Sequence, residues 1–249
     1  MDRPGDVELA VRAASAGAVV LRGRYGGPLT RFAKSASDFA TEADLEAERA
    51  IREVIAAGAP DDAFEGEEGG LSGSADAHRT WLVDPLCGTL NFAAGTPLAC
   101  VNVALRQDGE IVAAAVADPF SDEMFRTDDA SLTPDGSTRL VEVDFDRRPA
   151  WAAALVASPS FSATFGLRVS STSLALAWVA TGRRAGYVVG GETHDSVHFA
   201  AGAALCRTAG CVVTDFAGNP VGTGSDGLVA AADAETHAAL LAAIAAQPR

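Results

Sequence analysis

The stretch Trp81-Leu-Val-Asp-Pro-Leu-Cys-Gly-Thr-Leu-Asn-Phe92 decides the fold, because a run of β-forming residues ends there among turn-forming and reactive ones. Residues 81–83 predict a buried strand, and Asp84, Pro85 and Gly88 predict that a tight loop follows it. Within six residues this loop offers a carboxylate, a thiol, a glycine amide and a hydroxyl. That density of reactive groups predicts a binding or catalytic site.

The composition excludes several classes of partner. The chain has 249 residues, of which 48% are hydrophobic, enough for a large core in one or two domains. Its formal net charge of −14 and the lack of a basic run predict no nucleic-acid partner and no membrane partner. The N-terminus lacks the basic-then-apolar order of a secretory signal, which predicts a cytoplasmic location. The four scattered cysteines, without a CxxC pair, predict reduced thiols.

Helices and a hairpin are predicted in the first half of the chain. Residues 9–21 are mostly small or apolar and predict a helix buried on most sides. A second helix is predicted over 42–57, where Thr41 and Asp44 form a capping box and an apolar stripe follows. Residues 101–105 and 111–117 predict a hairpin, because the Asp-Gly pair between them suits a type I′ turn.

The remaining strands suggest how the chain is divided. Residues 124–126 and 140–145 are predicted to continue the antiparallel sheet. After residue 149 short strands alternate with alanine-rich helices, which favours an α/β half. We therefore predict an N-terminal α+β half over 1–147, carrying the reactive loop, and a C-terminal α/β half over 148–249.

Several motifs together resemble one family. They are Gly66-Glu67-Glu68, Asp84-Pro-Leu-Cys-Gly-Thr89, Ala200-Ala-Gly202 and the stretch from Thr208 to Gly218. Their order and spacing resemble the inositol monophosphatase family from about residue 8 to 245. The resemblance implies an α/β, αβαβα-layered sugar-phosphatase fold, usually a homodimer. It also implies Mg²⁺-dependent hydrolysis of a small phosphorylated substrate.

The resemblance assigns roles around the loop. Glu67, Asp84 and the carbonyl of Leu86 match the family's first metal site, and all three are hard oxygen ligands suited to Mg²⁺. Thr89, with Asp44 behind it, matches the pair that orients and deprotonates the attacking water. Phosphomonoester hydrolysis needs both a cation and an activated water.

The same resemblance predicts groups that contact the substrate. The amides of Gly88 and Thr89 are expected to hold the phosphate. Ser171, Thr172 and Asp195 are further predicted substrate-binding residues. The family's glutamate that binds a substrate hydroxyl has no clear match between Val189 and Glu192, so the resemblance does not specify inositol phosphate.

Two positions depart from the family pattern. Cys87 stands where the DPxDGT loop has its second aspartate, and thiol sulfur is a poor ligand for Mg²⁺. His198 stands where a later motif, WDxAAG, has another aspartate, if the alignment is fixed on Ala200-Ala-Gly202. A rival alignment with a gap uses Asp195 instead. Either residue, one helical turn apart, could face the loop.

Three interpretations of these departures stay open. The first is a phosphatase with a modified metal site, completed by Asp195 or by a softer metal such as Zn²⁺ between Cys87 and His198. The second is a repurposed enzyme in which His198 activates a Cys87 thiolate. The third is a non-catalytic binding scaffold. Thr89, Asp44, Glu67, Cys87 and His198 are accordingly the predicted catalytic residues.

Overall fold

The computed structural model describes residues 5–35, 39–129, 131–134, 137–145, 150–194, 196–223 and 226–247. The chain divides into two compact units. The first comprises Met1–Asp128, Thr172–Leu174 and Val197–Ala204, and the second Asp129–Ser171, Ala175–Ser196 and Leu205–Arg249. The domain boundary predicted at residues 147 and 148 stays a prediction, because it lies outside the described residues.

The first unit is built on a six-stranded sheet. Its elements are α1 (Asp6–Arg24), β1 (Arg31–Ala33), β2 (Phe39–Thr41), α2 (Glu42–Gly58), β3 (Ala63–Gly66), β4 (Gly70–Ser72), β5 (Arg79–Cys87), α3 (Thr89–Ala93), β6 (Cys100–Gln107), β7 (Glu110–Asp118) and β8 (Glu123–Arg126). The strand order is β4-β3-β5-β6-β7-β8, and β1 pairs with β2 in a separate hairpin. β3 pairs with β5 in parallel, whereas the other neighbours are antiparallel.

The helices α1 and α2 pack on this sheet and on each other, which confirms the two predicted helices. The small residues of α1 allow this close approach: a Cβ added at Gly17 would lie 2.8 Å from Ile51 Cδ1. The Thr41–Asp44 capping box at the start of α2 is present. The β6–β7 turn also matches its prediction, because Asp108 and Gly109 both have positive φ, 51° and 88°.

The second unit contains a five-stranded sheet in the order β10-β9-β11-β13-β12. Its elements are β9 (Leu140–Asp144), α4 (Ala150–Ala157), α5 (Pro159–Thr164), β10 (Gly166–Ser170), β11 (Gly186–Val189), β12 (Val212–Thr214), β13 (Leu228–Ala231) and α8 (Ala234–Ala245). Two further helices, α6 (Leu174–Ala180) and α7 (Ala200–Thr208), have their first residues in the first unit and the rest in the second.

One strand prediction is wrong. Residues 140–145 were expected in the antiparallel sheet, but β9 runs parallel to β10 and β11 in the other sheet. The strand has partners on both sides, and Val141, Glu142, Val143 and Asp144 are all buried. The carboxylates on it are satisfied within the unit, because Arg184 donates to Glu142 and Tyr187 donates to Asp144. A strand buried in a parallel pairing is usually hydrophobic throughout, so Glu142 and Asp144 gave no sign of this position.

Among the described residues, no helix is both long and apolar enough to cross a membrane.

Candidate active site

The reactive loop begins where β5 leaves its regular register with β6. The pairing shifts between Asp84 and Cys87, so the intervening residues bulge from the ladder. Gly88 then adopts a left-handed φ of 109°, and a Cβ there would lie 2.8 Å from the carbonyl oxygen of Leu98. Glycine is therefore required at this position for both conformation and space. The short helix α3 starts directly afterwards, at Thr89.

Asp84 is completely buried and is fixed at both carboxylate oxygens. Its Oδ1 accepts a hydrogen bond of 3.0 Å from the backbone amide of Leu86. Its Oδ2 lies 2.7 Å from Nδ1 of His198. Burial lowers the pKa of His198, but the Asp84 and Glu67 carboxylates outweigh that effect and raise it to about 9. The imidazole beside Asp84 is therefore positively charged at neutral pH.

Glu67 joins Asp84 because β3 and β5 are parallel neighbours. The amide of Glu67 donates to the carbonyl of Val83 at 3.0 Å, which extends the pairing to the residue before Asp84. Within the described part of the chain, one group of three metal-capable side chains forms: Glu67, Asp84 and His198, with ligand atoms within 4.8 Å of one another. Burial, followed by the charge of Asp84, raises the pKa of Glu67 to about 9.

Lys34 is a cation of this site that sequence reasoning missed. Its Nζ lies 2.8 Å from Glu67 Oε1 and 2.6 Å from Glu68 Oε1. Burial lowers the pKa of Lys34, but the two carboxylates raise it above its ordinary value. Lys34 begins the stretch from residue 34 to residue 44, which also resembles the first motif of the inositol monophosphatase family, and this resemblance was the signal in the sequence.

The donor set fits a hard divalent cation. Glu67 and Asp84 bring carboxylate oxygens within 4.8 Å of each other, and the carbonyl predicted as the third ligand, that of Leu86, lies in the bulge that follows Asp84. The Leu86 carbonyl lies 3.0 Å from the Thr89 hydroxyl, whose one proton is also within reach of Asp44, so the carbonyl keeps a lone pair for a metal. Cys87 does not belong to the metal-capable group found among the described residues, so Zn²⁺ between Cys87 and His198 has no support here.

The predicted pair of Thr89 and Asp44 is brought together. The Thr89 hydroxyl lies 3.0 Å from Asp44 Oδ1 and is the donor of that bond. The other oxygen of Asp44 accepts from the Thr41 amide at 2.8 Å and from the Thr41 hydroxyl at 2.6 Å. Burial raises the pKa of Asp44 to about 6, although the hydrogen bonds from Thr41 and Thr89 act in the opposite direction.

Cys87 is bound to Ser173 and not to His198 in the described contacts. Its sulfur accepts hydrogen bonds from the Ser173 amide at 3.2 Å and from the Ser173 hydroxyl at 3.1 Å. Cys100, its register partner on β6, also contacts the Ser173 hydroxyl, at 3.6 Å. The hydrogen bond with Cys100 and burial both raise the pKa of Cys87 well above its ordinary value. The predicted Cys87–His198 pair is therefore replaced by Cys87–Ser173 and His198–Asp84 contacts.

The predicted substrate-binding residues have different surroundings. Thr172 is 1% exposed, and its hydroxyl donates to the carbonyl of Cys87 at 3.1 Å, so it supports the loop from behind. Ser171 is half-buried and follows β10 directly. Asp195 lies outside the described residues. Cys100 and Ser173 were not predicted, because no local pattern links them to Cys87.

Comparisons with known proteins identify the family. Residues 6–249 match the model of the inositol monophosphatase family. Nus factor SuhB of Pasteurella multocida is 32% identical over a match that covers 91% of this chain and 91% of that protein. Inositol-1-monophosphatase of Rhizobium meliloti is 46% identical over 93 residues, which cover 37% of this chain and 35% of the relative.

A solved structure agrees with this result. The extragenic suppressor protein SuhB from Bartonella henselae superimposes with a TM-score of 0.85 at 27% identity, covering 95% of this chain and 97% of that chain. This similarity confirms the predicted α/β sugar-phosphatase fold. Because the family match extends over nearly the whole sequence, the chain belongs to the inositol monophosphatase family.

Proposed function

We propose that the chain is a cation-dependent phosphomonoesterase that acts on a small phosphorylated sugar, polyol or related metabolite. Membership of the family supports phosphatase activity on phosphorylated small molecules. The observation that carries the proposal is the hydrogen bond between Thr89 and Asp44, which is on α2. Thr89 directly follows the loop that carries Asp84 and Leu86, so this bond lies beside the proposed cation site. A cation site and a water-activating pair are the two elements that this hydrolysis requires.

The cation site would consist of Glu67, Asp84 and the Leu86 carbonyl. A bound Mg²⁺ would neutralise charge on the phosphate oxygens and so favour attack by water. Lys34 Nζ lies 2.8 Å from Glu67 Oε1, and His198 Nδ1 lies 2.7 Å from Asp84 Oδ2. Both side chains of the proposed cation site are thus already paired with a basic group.

Thr89 and Asp44 would move the proton of the attacking water. The Thr89 oxygen takes a proton from water while the Thr89 hydroxyl proton passes to Asp44 Oδ1, 3.0 Å away. The new P–O bond forms as the ester P–O bond breaks, and the leaving oxygen takes a proton from solvent. Asp44 must be ionised to accept the proton, which requires a pH above its pKa of about 6.

The amides of Gly88 and Thr89 would bind the phosphate. Gly88 holds the left-handed conformation that lets the backbone turn at this point. Thr172 and Ser173 would fix the loop through the carbonyl and the sulfur of Cys87. Ser171 and Asp195 remain predicted substrate contacts, and homodimerisation and a cytoplasmic location remain predictions.

The contacts of Cys87 favour this function over a thiol nucleophile. A nucleophilic cysteine needs a lowered pKa and a base within hydrogen-bond reach. Here the pKa of Cys87 is raised, and the imidazole of His198 is engaged with Asp84 instead. We therefore assign Cys87 to the support of the loop.

A non-catalytic binding role is the second candidate. The name of the Pasteurella multocida relative, Nus factor SuhB, favours it. The two roles differ in their need for Glu67. If binding alone matters in the cell, Glu67→Gln should complement a deletion strain as well as the native gene does.

Phosphate release tests the proposed function. Purified protein would be assayed with Mg²⁺ and with a chelator on a panel of sugar and polyol phosphates. We expect Mg²⁺-dependent turnover of some member of the panel, and we expect Glu67→Gln to lose it. Glu53→Gln, an exposed change on α2, is the matched control and should keep full activity. Absence of turnover across the panel in the native protein would contradict the proposal.

A further inference from the structure

A buried carboxylate on α2 holds the turn that carries Glu67. Glu48 is 5% exposed and lies one helical turn after Asp44, on the same side of the helix. Its Oε2 accepts from the amide of Glu68 at 2.8 Å, and its Oε1 accepts from the amide of Gly69 at 2.9 Å. One side chain thus binds both backbone donors that directly follow Glu67.

Two glycines make room for this carboxylate. A Cβ at Gly66 would lie 2.3 Å from Glu48 Oε2, and a Cβ at Gly69 would lie 2.7 Å from Glu48 Oε1. Real Cβ atoms do not approach so closely, and neither contact could be relieved without moving the carboxylate or the turn. The Gly-Glu-Glu-Gly sequence from 66 to 69 is therefore fitted to Glu48.

The carboxylate is itself held from the helix. Arg52, one turn further along α2, places Nη2 3.5 Å from Glu48 Oε1. Its guanidinium carbon lies 4.0 Å from the centre of the Phe64 ring, on β3. The charge of Glu48 is thus offset by one cation and two amide donors, all within the first unit. This arrangement links the helix to the strand that leads into Glu67.

We propose that Glu48 is a positioning residue that fixes Glu67 for cation binding. The inference rests on the proposed function, because it takes Glu67 as a metal ligand. With the Glu68 and Gly69 amides bound, the peptide after Glu67 cannot rotate, and the Glu67 side chain keeps its direction towards Asp84. In this way α2 aligns both parts of the site, Asp44 for Thr89 and Glu48 for Glu67.

Calorimetric titration of the metal-free full chain with Mg²⁺ tests the inference. Glu48→Gln should weaken Mg²⁺ binding about tenfold or more, the usual effect of removing a group that orients a ligand. The glutamine oxygen can accept from one amide, but its NH2 group faces the other donor. At saturating Mg²⁺ the variant should recover most of its turnover, because Asp44 and Thr89 are untouched.

Two further variants separate positioning from stability. Gly69→Ala leaves Glu48 in the chain but puts a Cβ against its carboxylate, so it should also weaken Mg²⁺ binding even if Glu48→Gln folds poorly. Glu53→Gln on the exposed side of α2 should bind like the native chain. Dissociation constants for Glu48→Gln and Gly69→Ala that equal the native one would overturn the inference, whatever their unfolding midpoints.

The same titration distinguishes this failure from failure of the proposed function. A native chain that binds Mg²⁺ with the same affinity as Glu48→Gln overturns the positioning role alone. A native chain that binds no Mg²⁺ overturns both.

Discussion

Replacing Asp44 by asparagine should remove activity and yet stabilise the protein at alkaline pH. The asparagine oxygen can occupy the place of Oδ2 and accept from the Thr41 amide and hydroxyl. Its NH2 group can donate to the Thr89 oxygen, whose own proton then goes to the Leu86 carbonyl. The variant therefore keeps every hydrogen bond of the site but removes a buried negative charge.

The size of the effect follows from the pKa of Asp44. That pKa rises from 3.8 to about 6 in the folded protein. At about 1.4 kcal/mol per pKa unit, ionised Asp44 destabilises the fold by about 3 kcal/mol. Because the folded-state pKa is raised, the stability is fully present below 3.8 and is lost as the pH rises through about 6.

Urea unfolding of the metal-free protein measures this contribution. At about pH 8 the free energy of unfolding of Asp44→Asn should exceed that of the native chain by about 3 kcal/mol, and at about pH 4 by less than about 1 kcal/mol. Glu53→Gln should give no such pH-dependent difference. An Asp44→Asn variant that is less stable than the native chain by the same amount at both pH values would refute the reasoning, because the buried charge would then carry no penalty.

Three more predictions concern the same loop. Thr89→Val should lower kcat by about 10² to 10⁴, the range for loss of a proton-transfer group, whereas Thr89→Ser keeps the hydroxyl and should keep most of the activity. Equal phosphate-release rates for Thr89→Val and Thr89→Ser would contradict the role of Thr89. Cys87→Ser should keep kcat within about tenfold, since a serine oxygen can also accept from Ser173, and a complete loss would revive the thiol nucleophile. Titration calorimetry should give one Mg²⁺ per chain; a second Mg²⁺ would bring Asp195 into the site.

Local sequence patterns were sufficient for much of the first unit. The capping box of Thr41 and Asp44 and the apolar stripe after it specify α2 without help from distant residues. The turn of Asp108 and Gly109 likewise follows from two neighbouring residues that tolerate positive φ. The turn at Gly88 was predictable for the same reason, but β5 continues through a bulge to Cys87, four residues beyond the strand end predicted at Val83.

Contacts between distant residues were not predictable in this way. Cys87 and Ser173 are 86 residues apart, and Asp84 and His198 are 114 residues apart, so no periodicity reports either contact. Glu48 did leave a signal, because it is a charged residue within the apolar stripe of α2, beside Ala47. A charge in such a position needs buried partners, and besides Arg52 these are the backbone amides of Glu68 and Gly69, which almost any residue type would provide.

The two departures from the family pattern make physical sense when the charges of the site are considered together. If the alignment fixed on Ala200-Ala-Gly202 holds, this chain has Cys87 and His198 where the family pattern has two aspartates, and His198 lies beside Asp84. Each replacement removes negative charge that a second divalent cation would need. Lys34 contacts Glu67, and His198 contacts the buried Asp84, so two basic side chains already lie beside the acidic pair. Positive charge beside the site opposes the entry of further cations, and we therefore expect one bound Mg²⁺ and not two.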